Sequence, residues 1–342
     1  MSDADSTFKR LIATVVDGKS LSESEAVEAF NIMMSGEATP SQIAGFLIAL
    51  RIRGETVEEI TGAARIMREK ALKVSAPDDA IDVVGTGGDG AGTLNISTAT
   101  AIVVAGCGVP IAKHGNRAAS SKSGAADVLS ELGINLDADV PTVERAIREA
   151  GIGFLLAPAY HSSMRHVGPA RVEMGVRTIF NILGPLANPA SVKRLLVGTF
   201  ASDWVEPMAQ VLGNLGTERA WVVHGADGLD ELTITGPSYV AELADGKVTT
   251  RELSPSDAGL PTASLDDIKG GTPAENAQAI RDLLNGQKGA YRDIALYGAS
   301  AALLIAGKVE SLTDGVAAAA AAIDDGKAAT ALAKLVEITG GE

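Results

Sequence analysis

Cysteine, histidine and aromatic residues are scarce in this sequence. Its 342 residues include one cysteine, four histidines and 4% aromatic side chains. The single cysteine, Cys107, excludes an internal disulfide, and the polar, acidic N-terminus lacks the pattern of a secretion signal, so we expect a reducing, cytoplasmic location. No apolar run approaches the roughly 20 residues that a membrane helix needs, so no membrane partner is expected.

Basic residues are also in deficit. The chain has 29 Lys and Arg against 43 Asp and Glu, a formal net charge of −14. This balance argues against nucleic acid as a partner, because duplex binding depends on neutralising phosphates with Lys and Arg. A small polyanion held by a local basic segment and a metal ion remains compatible. Residues 113–122 form such a segment, with three basic residues and no acid.

The first part of the chain shows only helical patterns. Ser22, Thr39 and Thr56 are each followed three residues later by Glu or Gln, the spacing of a capping box, and apolar residues then recur at helical intervals. We therefore predict a small four-helix domain over residues 1–72. The polar segment 73–79 would lead out of it.

From Ile81 onward, strand and helix patterns alternate, which is typical of an α/β domain. We predict this larger domain over residues 80–342, with a central mixed, mainly parallel sheet. Residues from about 163 to 186 turn helical again and are expected to join the N-terminal helices. Strands are predicted at 81–84, 109–112, 153–157, 195–198 and 219–223, with a β excursion over 238–252.

The stretch from Asp82 to Thr98 reads as a strand, a glycine loop and a helix start. Glycine tolerates φ > 0 and leaves backbone N–H groups accessible, and a helix N-terminus favours an anion. We interpret the stretch as a diphosphate site, in which Asp89 would meet a sugar hydroxyl or a metal complex. The loop glycines are Gly85, Gly87, Gly88, Gly90 and Gly92.

Two other phosphate motifs fit this loop poorly. Gly85, Gly87 and Gly90 match the dinucleotide fingerprint, but that motif needs an acid about 20 residues on, and residues 106–113 contain none. A P-loop needs Gly-Lys-Ser/Thr, whereas Ala91 follows Gly90. NAD and nucleoside triphosphates are therefore disfavoured.

Three further features carry candidate chemistry. The basic segment follows the next strand, and a right-handed crossover would bring it to the same sheet edge as the glycine loop. Asp230 and Glu231 are candidate Mg²⁺ ligands, although adjacent acids in a loop are often only solvated. Arg171 and Arg177 lie in an apolar helical stretch, where each is either a carboxylate partner or a surface charge.

In order along the chain, five motifs resemble those of anthranilate phosphoribosyltransferases. The resemblance implies Mg²⁺-dependent transfer of the phosphoribosyl group of 5-phosphoribosyl diphosphate (PRPP) to anthranilate in tryptophan biosynthesis. It also implies a fold similar to that of thymidine phosphorylase and a homodimer joined through the helical domain. The motifs are Asp82–Asp89, Asn95–Thr98, Lys113–Arg117, Arg177–Pro189, and His224-Gly225 with Asp230-Glu231.

The resemblance also implies site residues, with Lys113, Asp89 and Arg171 as the catalytic ones. Anthranilate would contact Gly85, Asn116 and Arg171, and Ser97, Asp230 and Glu231 would bind Mg²⁺. Two positions depart from the family pattern: Ser162 replaces a frequent Pro, and Ala125 replaces a frequent Ser. PRPP would contact Gly85, Gly88, Asp89, Thr93, Asn95, Ile96, Ser97, Thr98, Lys113, His114, Gly115, Asn116, Arg117, Ala118, Ala119, Ser120 and Ser121.

Two rival functions share this fold. A pyrimidine nucleoside phosphorylase also reacts at a ribosyl C1, but Lys113–Arg117 and Arg171 favour the anthranilate enzyme. A non-catalytic nucleic-acid-binding paralogue would need a basic surface and eroded motifs, whereas this chain is acidic and its motifs are intact.

Overall fold

A single seven-stranded sheet organises the larger part of the molecule. The computed structural model describes residues 3–118 and 122–340. The strand order is β3-β2-β1-β4-β5-β6-β7; the first five strands are parallel, and β6 and β7 are antiparallel. This confirms the predicted mixed, mainly parallel sheet. The strands are β1 Ile81–Gly85, β2 Ile111–Gly115, β3 Ile152–Leu156, β4 Arg194–Gly198, β5 Arg219–Gly225, β6 Ser238–Ala244 and β7 Lys247–Leu253.

Helices form the N-terminal part and cover both faces of the sheet. Within the described residues, no helix is both long and apolar enough to cross a membrane. The N-terminal helices are α1 Asp3–Val16, α2 Glu23–Met34, α3 Pro40–Arg53 and α4 Val57–Lys70. The others are α5 Ile96–Gly106, α6 Ala125–Glu131, α7 Val140–Glu149, α8 Ala157–Tyr160, α9 Gly168–Met174, α10 Phe180–Leu183, α11 Val205–Asn214, α12 Pro273–Leu284, α13 Ala290–Ile305, α14 Leu312–Asp324 and α15 Lys327–Gly340.

The four N-terminal helices begin and pack as their sequence predicts. The capping boxes at Ser22, Thr39 and Thr56 are all formed, so each of these helix starts has free N–H groups satisfied by its own side chains. The rings of Phe8 and Phe46 lie 5.3 Å apart at the centre of the bundle. Burial of such rings supplies much of the hydrophobic free energy of a small helical module.

The predicted helical return at 163–186 is interrupted. A 3₁₀ helix, Ser162–His166, precedes α9, which ends at Gly175 with φ 61°, a left-handed conformation that favours glycine. Residues 175–179 are not helical. Val172, on α9, and Val176, just after it, are 82% and 52% exposed, although the predicted continuous helix placed both on its apolar face. The segment still packs on the bundle: α9 contacts α3, and α10 contacts α4.

Strand β2 starts two residues later than the predicted strand 109–112. Gly108 has φ 78°, and Pro110 cannot donate a ladder hydrogen bond, so the turn extends to Pro110. As a result Lys113 and His114 belong to the strand and not to the basic loop that follows it. Because side chains alternate along a strand, these two must point to opposite faces of the sheet.

A buried polar cluster joins β1, β2 and the chain after α10. Asp82 is fully buried and accepts hydrogen bonds from the His114 backbone N–H at 3.1 Å and from Asn188 Nδ2 at 2.7 Å. Asn188 Nδ2 also donates to the Ala112 carbonyl at 2.8 Å. The cluster fixes the segment that ends at Pro189 against the two strands whose carboxyl ends carry the site.

Candidate active site

The glycine loop follows β1, as predicted. Gly87, Gly88, Gly90 and Gly92 have φ values of 67°, 75°, 76° and 65°. These positions favour glycine because residues with a Cβ rarely adopt this conformation. The loop therefore has a backbone path that only a glycine-rich sequence follows without strain.

Helix α5 begins directly after the loop, without a side-chain cap. The side chain of Asn95, at the capping position, instead pairs with two distant residues. Asn95 Oδ1 accepts from Ser123 Oγ at 3.3 Å and from Asn276 Nδ2 at 2.8 Å. The side chain of the capping residue therefore leaves the helix start uncovered, while the Ser97 N–H interacts with the Glu231 carboxylate. A helix N-terminus facing the loop suits an anionic ligand.

Lys113, on β2, contacts both β1 and the start of α5. It is 2% exposed, and its Nζ donates to the Val83 carbonyl at 2.6 Å and to Ser97 Oγ at 3.3 Å. Burial lowers the pKa of the Lys113 ammonium, while the carboxylates of Asp82, Glu231 and Asp230 act in the opposite direction. The structure thus brings β1, β2 and the start of α5 together around one amine.

Asp230 and Glu231, which follow β5, lie beside the same part of the site. Gly87 N–H donates to Asp230 Oδ2 at 2.7 Å, and the Asp230 carbonyl lies directly over Gly198, the last residue of β4. Burial and the neighbouring Asp89 raise the pKa of Asp230 to about 7, and burial with Asp230 raises the pKa of Glu231 well above its usual value. Three carboxylates crowd together beside the loop.

This crowding fits a hard divalent cation. Two carboxylates and the Ser97 hydroxyl are oxygen donors, the type that Mg²⁺ prefers, and a cation would relieve the repulsion that raises the carboxyl pKa values. Residues 3–118 and 122–340 contain no group of three or more His, Cys, Asp or Glu side chains able to hold a metal together. Mg²⁺ commonly takes only one or two carboxylates and completes its shell with water and substrate phosphate.

The raised pKa of Asp230 predicts an unusual pH dependence of stability. Between its unfolded value of 3.8 and about 7, the folded protein holds a proton that the unfolded chain releases. The contribution of this proton to the free energy of unfolding is fully present below pH 3.8 and is lost as pH rises through about 7. Metal-free protein should therefore lose Tm between about pH 5 and pH 8 more steeply than D230N.

Calorimetry at both pH values tests this prediction. The Tm of D230N minus the Tm of wild type should rise by about 2–4 °C, because two pH units of titration amount to roughly 2.7 kcal/mol and each kcal/mol shifts Tm by roughly 1.5 °C in a protein of this length. D203N, which removes an exposed acid, is the control and should follow wild type. Parallel curves for D230N and wild type would contradict the assignment.

The chain after β2 is shaped by an acid that the sequence reasoning overlooked. Asp127 Oδ2 accepts the N–H groups of Ala118 and Gly124, both at 3.0 Å, and Oδ1 pairs with Arg117 at 3.2 Å. Asn116 and Arg117 are exposed at the sheet edge. Three residues predicted to bind PRPP lie outside the described part of the chain: Ala119, Ser120 and Ser121.

Some predicted contact residues have buried side chains. His114 points to the opposite face from Lys113; its Nδ1 lies 3.1 Å from the Gly184 carbonyl, and its ring is 5.2 Å from that of His161. Burial lowers the pKa of His114 to about 3, so its imidazole is neutral. The side chains of Ile96 and Thr98 are buried as well, and the Ile96 N–H donates to the Leu94 carbonyl at 2.8 Å. Of these two residues, only Thr98 has a backbone N–H able to meet a ligand.

The two arginines differ in their surroundings. Arg171, on α9, is half-buried and lies over the Phe180 ring at 5.2 Å, and burial lowers its pKa. No salt bridge involving Arg171 is formed within the described ranges. Arg177 is exposed, lies over the Phe200 ring at 4.4 Å and donates to the Gly88 carbonyl. Arg177 therefore touches the glycine loop itself.

Residues 268–270 contact the glycine loop and the chain just after it. Leu94 N–H donates to the Ile268 carbonyl and Gly270 N–H donates to the Gly92 carbonyl, both at 2.9 Å. A Cβ on Gly270 would lie 2.3 Å from the Thr93 carbonyl oxygen. In the sequence, only the Gly270-Gly271 pair before the Thr272 cap indicates a close backbone approach here. No local pattern connects that pair to the glycine loop, which is far away in sequence.

Comparison with known proteins identifies the class first. The glycosyl transferase family helical bundle domain matches residues 9–71, and the glycosyl transferase family a/b domain matches residues 77–329. Together these matches cover most of the chain and both parts of the fold. The chain is thus a glycosyltransferase with a helical bundle and an α/β domain.

Comparison with individual relatives identifies the family within this class. The chain is 61% identical to anthranilate phosphoribosyltransferase of Rhodospirillum rubrum, covering 97% of this chain and 96% of the relative, and 59% identical to that of Parvibaculum lavamentivorans, covering 98% of each. The enzyme of Thermus thermophilus superposes with a TM-score of 0.92 at 44% identity, covering 97% of this chain and 99% of that one. The Saccharomyces cerevisiae enzyme in complex with PRPP and Mg superposes with a TM-score of 0.89 at 28% identity, covering 99% and 98%. This chain belongs to the anthranilate phosphoribosyltransferase family.

Proposed function

We propose that this chain transfers the phosphoribosyl group of PRPP to the amino nitrogen of anthranilate, releasing diphosphate, as a step of tryptophan biosynthesis. One observation carries the proposal. Lys113 Nζ contacts both the strand before the glycine loop and Ser97 on α5, while Asp230 holds Gly87 of the loop itself. A cation, a glycine cradle and two acids at one sheet edge form a site for a metal-bound diphosphate.

The diphosphate and ribose occupy the glycine loop and the start of α5. The loop amides and the Ser97 hydroxyl face the anion, and Lys113 adds a fixed positive charge. Asp89, which accepts the Ala91 N–H at 3.2 Å, remains able to accept from a sugar hydroxyl. Of the other predicted contacts, Thr93 to Thr98 and Asn116 to Ala118 flank this position, and Ala119, Ser120 and Ser121 stay predictions.

Anthranilate binds on the side of the helical domain. Its carboxylate pairs with Arg171, whose half-buried guanidinium is paired with no carboxylate in the described structure. Gly85 and Asn116, at the carboxyl ends of β1 and β2, complete this part of the site. Gly85 is then the point at which the two substrates meet.

The chemistry consists of leaving-group stabilisation and positioning. The aromatic amine of anthranilate is neutral near pH 7, so its lone pair attacks C1 without prior deprotonation. The C1–O bond to diphosphate breaks ahead of C–N bond formation, and the amine then loses one proton to solvent. Lys113, the loop amides and the Ser97 hydroxyl stabilise the charge that collects on the leaving oxygen.

Ser97, Asp230 and Glu231 would hold Mg²⁺. The bound ion supplies additional positive charge to the diphosphate oxygens. Asp230 has a second role of its own, because its carboxylate also accepts the Gly87 N–H. The metal ligands and the loop conformation are therefore linked through one side chain.

An activity assay tests the whole proposal. Loss of anthranilate fluorescence should require both PRPP and Mg²⁺ and should release diphosphate in equal amount. Thymidine with phosphate serves as the rival substrate pair and should give no phosphorolysis. Phosphorolysis without anthranilate consumption would replace this function by the nucleoside phosphorylase reaction.

Arg171→Ala should weaken anthranilate use selectively. Loss of a charged, partly desolvated hydrogen-bond partner is expected to raise KM for anthranilate about 10–100-fold and to leave KM for PRPP nearly unchanged. Initial rates measured against each substrate in turn give both values. With 2-aminobenzamide as the substrate, which lacks the carboxylate, variant and wild type should no longer differ. Equal effects on both KM values would rule out the proposed role of Arg171.

We also propose the domain division and the assembly. The helical domain comprises residues 1–72 with the segment at about 163–186, the α/β domain comprises residues 80–342, and two copies pair through the helical domain in the cytoplasm. Apolar side chains exposed on helices that contact one another support the pairing: Val16 on α1, Ile52 on α3 and Val172 on α9 are 66%, 81% and 82% exposed. A solution mass near twice 34.9 kDa supports the dimer, and a mass of 34.9 kDa contradicts it.

A further inference from the structure

Arg177 stands out among the residues that the proposed reaction leaves unused. It lies between α9 and α10, on the non-helical chain that follows Arg171. Its guanidinium donates to the Gly88 carbonyl and lies over the Phe200 ring with 4.4 Å to the ring centroid. An exposed arginine held by two distant elements at once is more restrained than a surface charge.

The contacts around Arg177 form a closed set. The Phe200 backbone N–H donates to Thr86 Oγ1 at 3.0 Å, and the Thr86 N–H donates to the Gly198 carbonyl at 2.9 Å. The first residue of the glycine loop is thus fixed to the chain that carries Phe200. Phe200 in turn supports the guanidinium that holds Gly88. Both ends of the segment 86–88 are fixed from outside the loop.

The hydrogen bond at Gly88 determines a backbone direction. In a trans peptide the C=O of one residue and the N–H of the next point to opposite sides. By holding the Gly88 carbonyl, Arg177 fixes the direction of the Asp89 N–H away from itself. Gly88 and its glycine neighbours have positive φ and no side chains of their own to set this orientation.

We propose that Arg177 is a positioning residue that holds the glycine loop in its anion-binding conformation before substrate arrives. The chain from Arg171 to Arg177 then connects the carboxylate partner of one substrate to the loop that binds the other. This inference rests on the proposed function for the identity of the substrates. Its structural part concerns the substrate-free loop alone.

The test combines three variants with a matched control. R177A removes both contacts, R177K keeps a donor but weakens the stacking, and F200L removes the ring. R251A is the control, because Arg251 lies over the Trp221 ring at 4.6 Å on the distant edge of the sheet. It removes an arginine–aromatic contact of the same kind far from the loop.

Amide hydrogen exchange of residues 86–92 in substrate-free protein is the first measurement. Exchange should be about tenfold faster in R177A than in wild type or R251A, with a smaller increase in R177K and F200L. Titration calorimetry should show PRPP binding about tenfold weaker in R177A. Because Arg177 and Phe200 act together, the variant that combines R177A with F200L should exchange and bind PRPP much as R177A does, and the two single effects should not add.

The possible outcomes separate the alternatives. Unchanged loop exchange with weakened PRPP binding would mean that Arg177 contacts the ligand directly, and the positioning role would be wrong. Unchanged exchange and binding would remove Arg177 from the site. An inactive wild type would overturn the proposed function, but the exchange measurement needs no substrate and would still test the positioning of the loop independently.

Discussion

Lys113→Met is expected to lower kcat by about 10²–10³-fold, the loss typical of removing one preorganised charge contact to a leaving group. Methionine keeps much of the length and apolar volume of the lysine, so packing around this buried position should survive. The amine that contacts Val83 and Ser97 would be absent. Leaving-group charge would then depend on the loop amides, the Ser97 hydroxyl and the proposed metal ion.

Rapid-quench measurement of the chemical step, with PRPP binding measured separately, checks this expectation. Lys193→Met is the control, since Lys193 is exposed and paired with Glu218 at the surface. Circular dichroism should show the same fold for both variants. A kcat within tenfold of wild type would show that Lys113 has a structural role and is not part of the catalytic site.

Gly198→Ala is expected to abolish activity and to destabilise the fold by several kcal/mol, at the upper end of what overpacking costs. A Cβ at this position would lie 1.5 Å from the Asp230 carbonyl oxygen, which is backbone and has little freedom to move. The acidic loop would have to leave the sheet edge. Asp230 and Glu231, the proposed Mg²⁺ ligands, would move with it.

A milder variant keeps this prediction testable if Gly198→Ala does not fold. A Cβ on Gly85 would lie 2.3 Å from Asp230 Oδ2, the end of a side chain that can rotate. Gly85→Ala should therefore fold but need more Mg²⁺ for half-maximal activity, by about tenfold or more. Gly213→Ala, where a Cβ meets only ordinary contacts with Leu243, is the control. An unchanged Mg²⁺ requirement in Gly85→Ala would contradict the placement of Asp230.

Local signals in the sequence predicted the elements well. Capping boxes and apolar spacing predicted the four N-terminal helices, and the glycine-rich pattern predicted a loop with positive φ. These features depend on neighbours within a few residues. The crossover rule predicted that the chain after β2 reaches the same sheet edge as the glycine loop, and β2 pairs in parallel with β1. Where one residue decided a boundary, as Pro110 does for β2, the prediction missed by two residues.

Contacts between distant segments were beyond such reasoning. Nothing near Asp127 shows that it will receive two loop amides, and nothing near Asn276 shows that it will hold Asn95. The buried position of His114 depends on how far β2 extends, because the face that a side chain takes is decided by its position in the strand. Pattern identifies which residues carry chemistry, but only packing identifies the residues that orient them.

The contact between Gly87 and Asp230 also bears on how the protein acquires its ligand-binding ability. These residues are 143 positions apart, so the contact forms only after most of the sheet has assembled. A partly folded chain that contains β1 and β2 but not β5 would have the glycine loop without its acids. Metal-dependent protection from proteolysis should thus appear all at once, when β5 joins the sheet. In a refolding chain, ligand would select completed molecules and draw the folding equilibrium toward them.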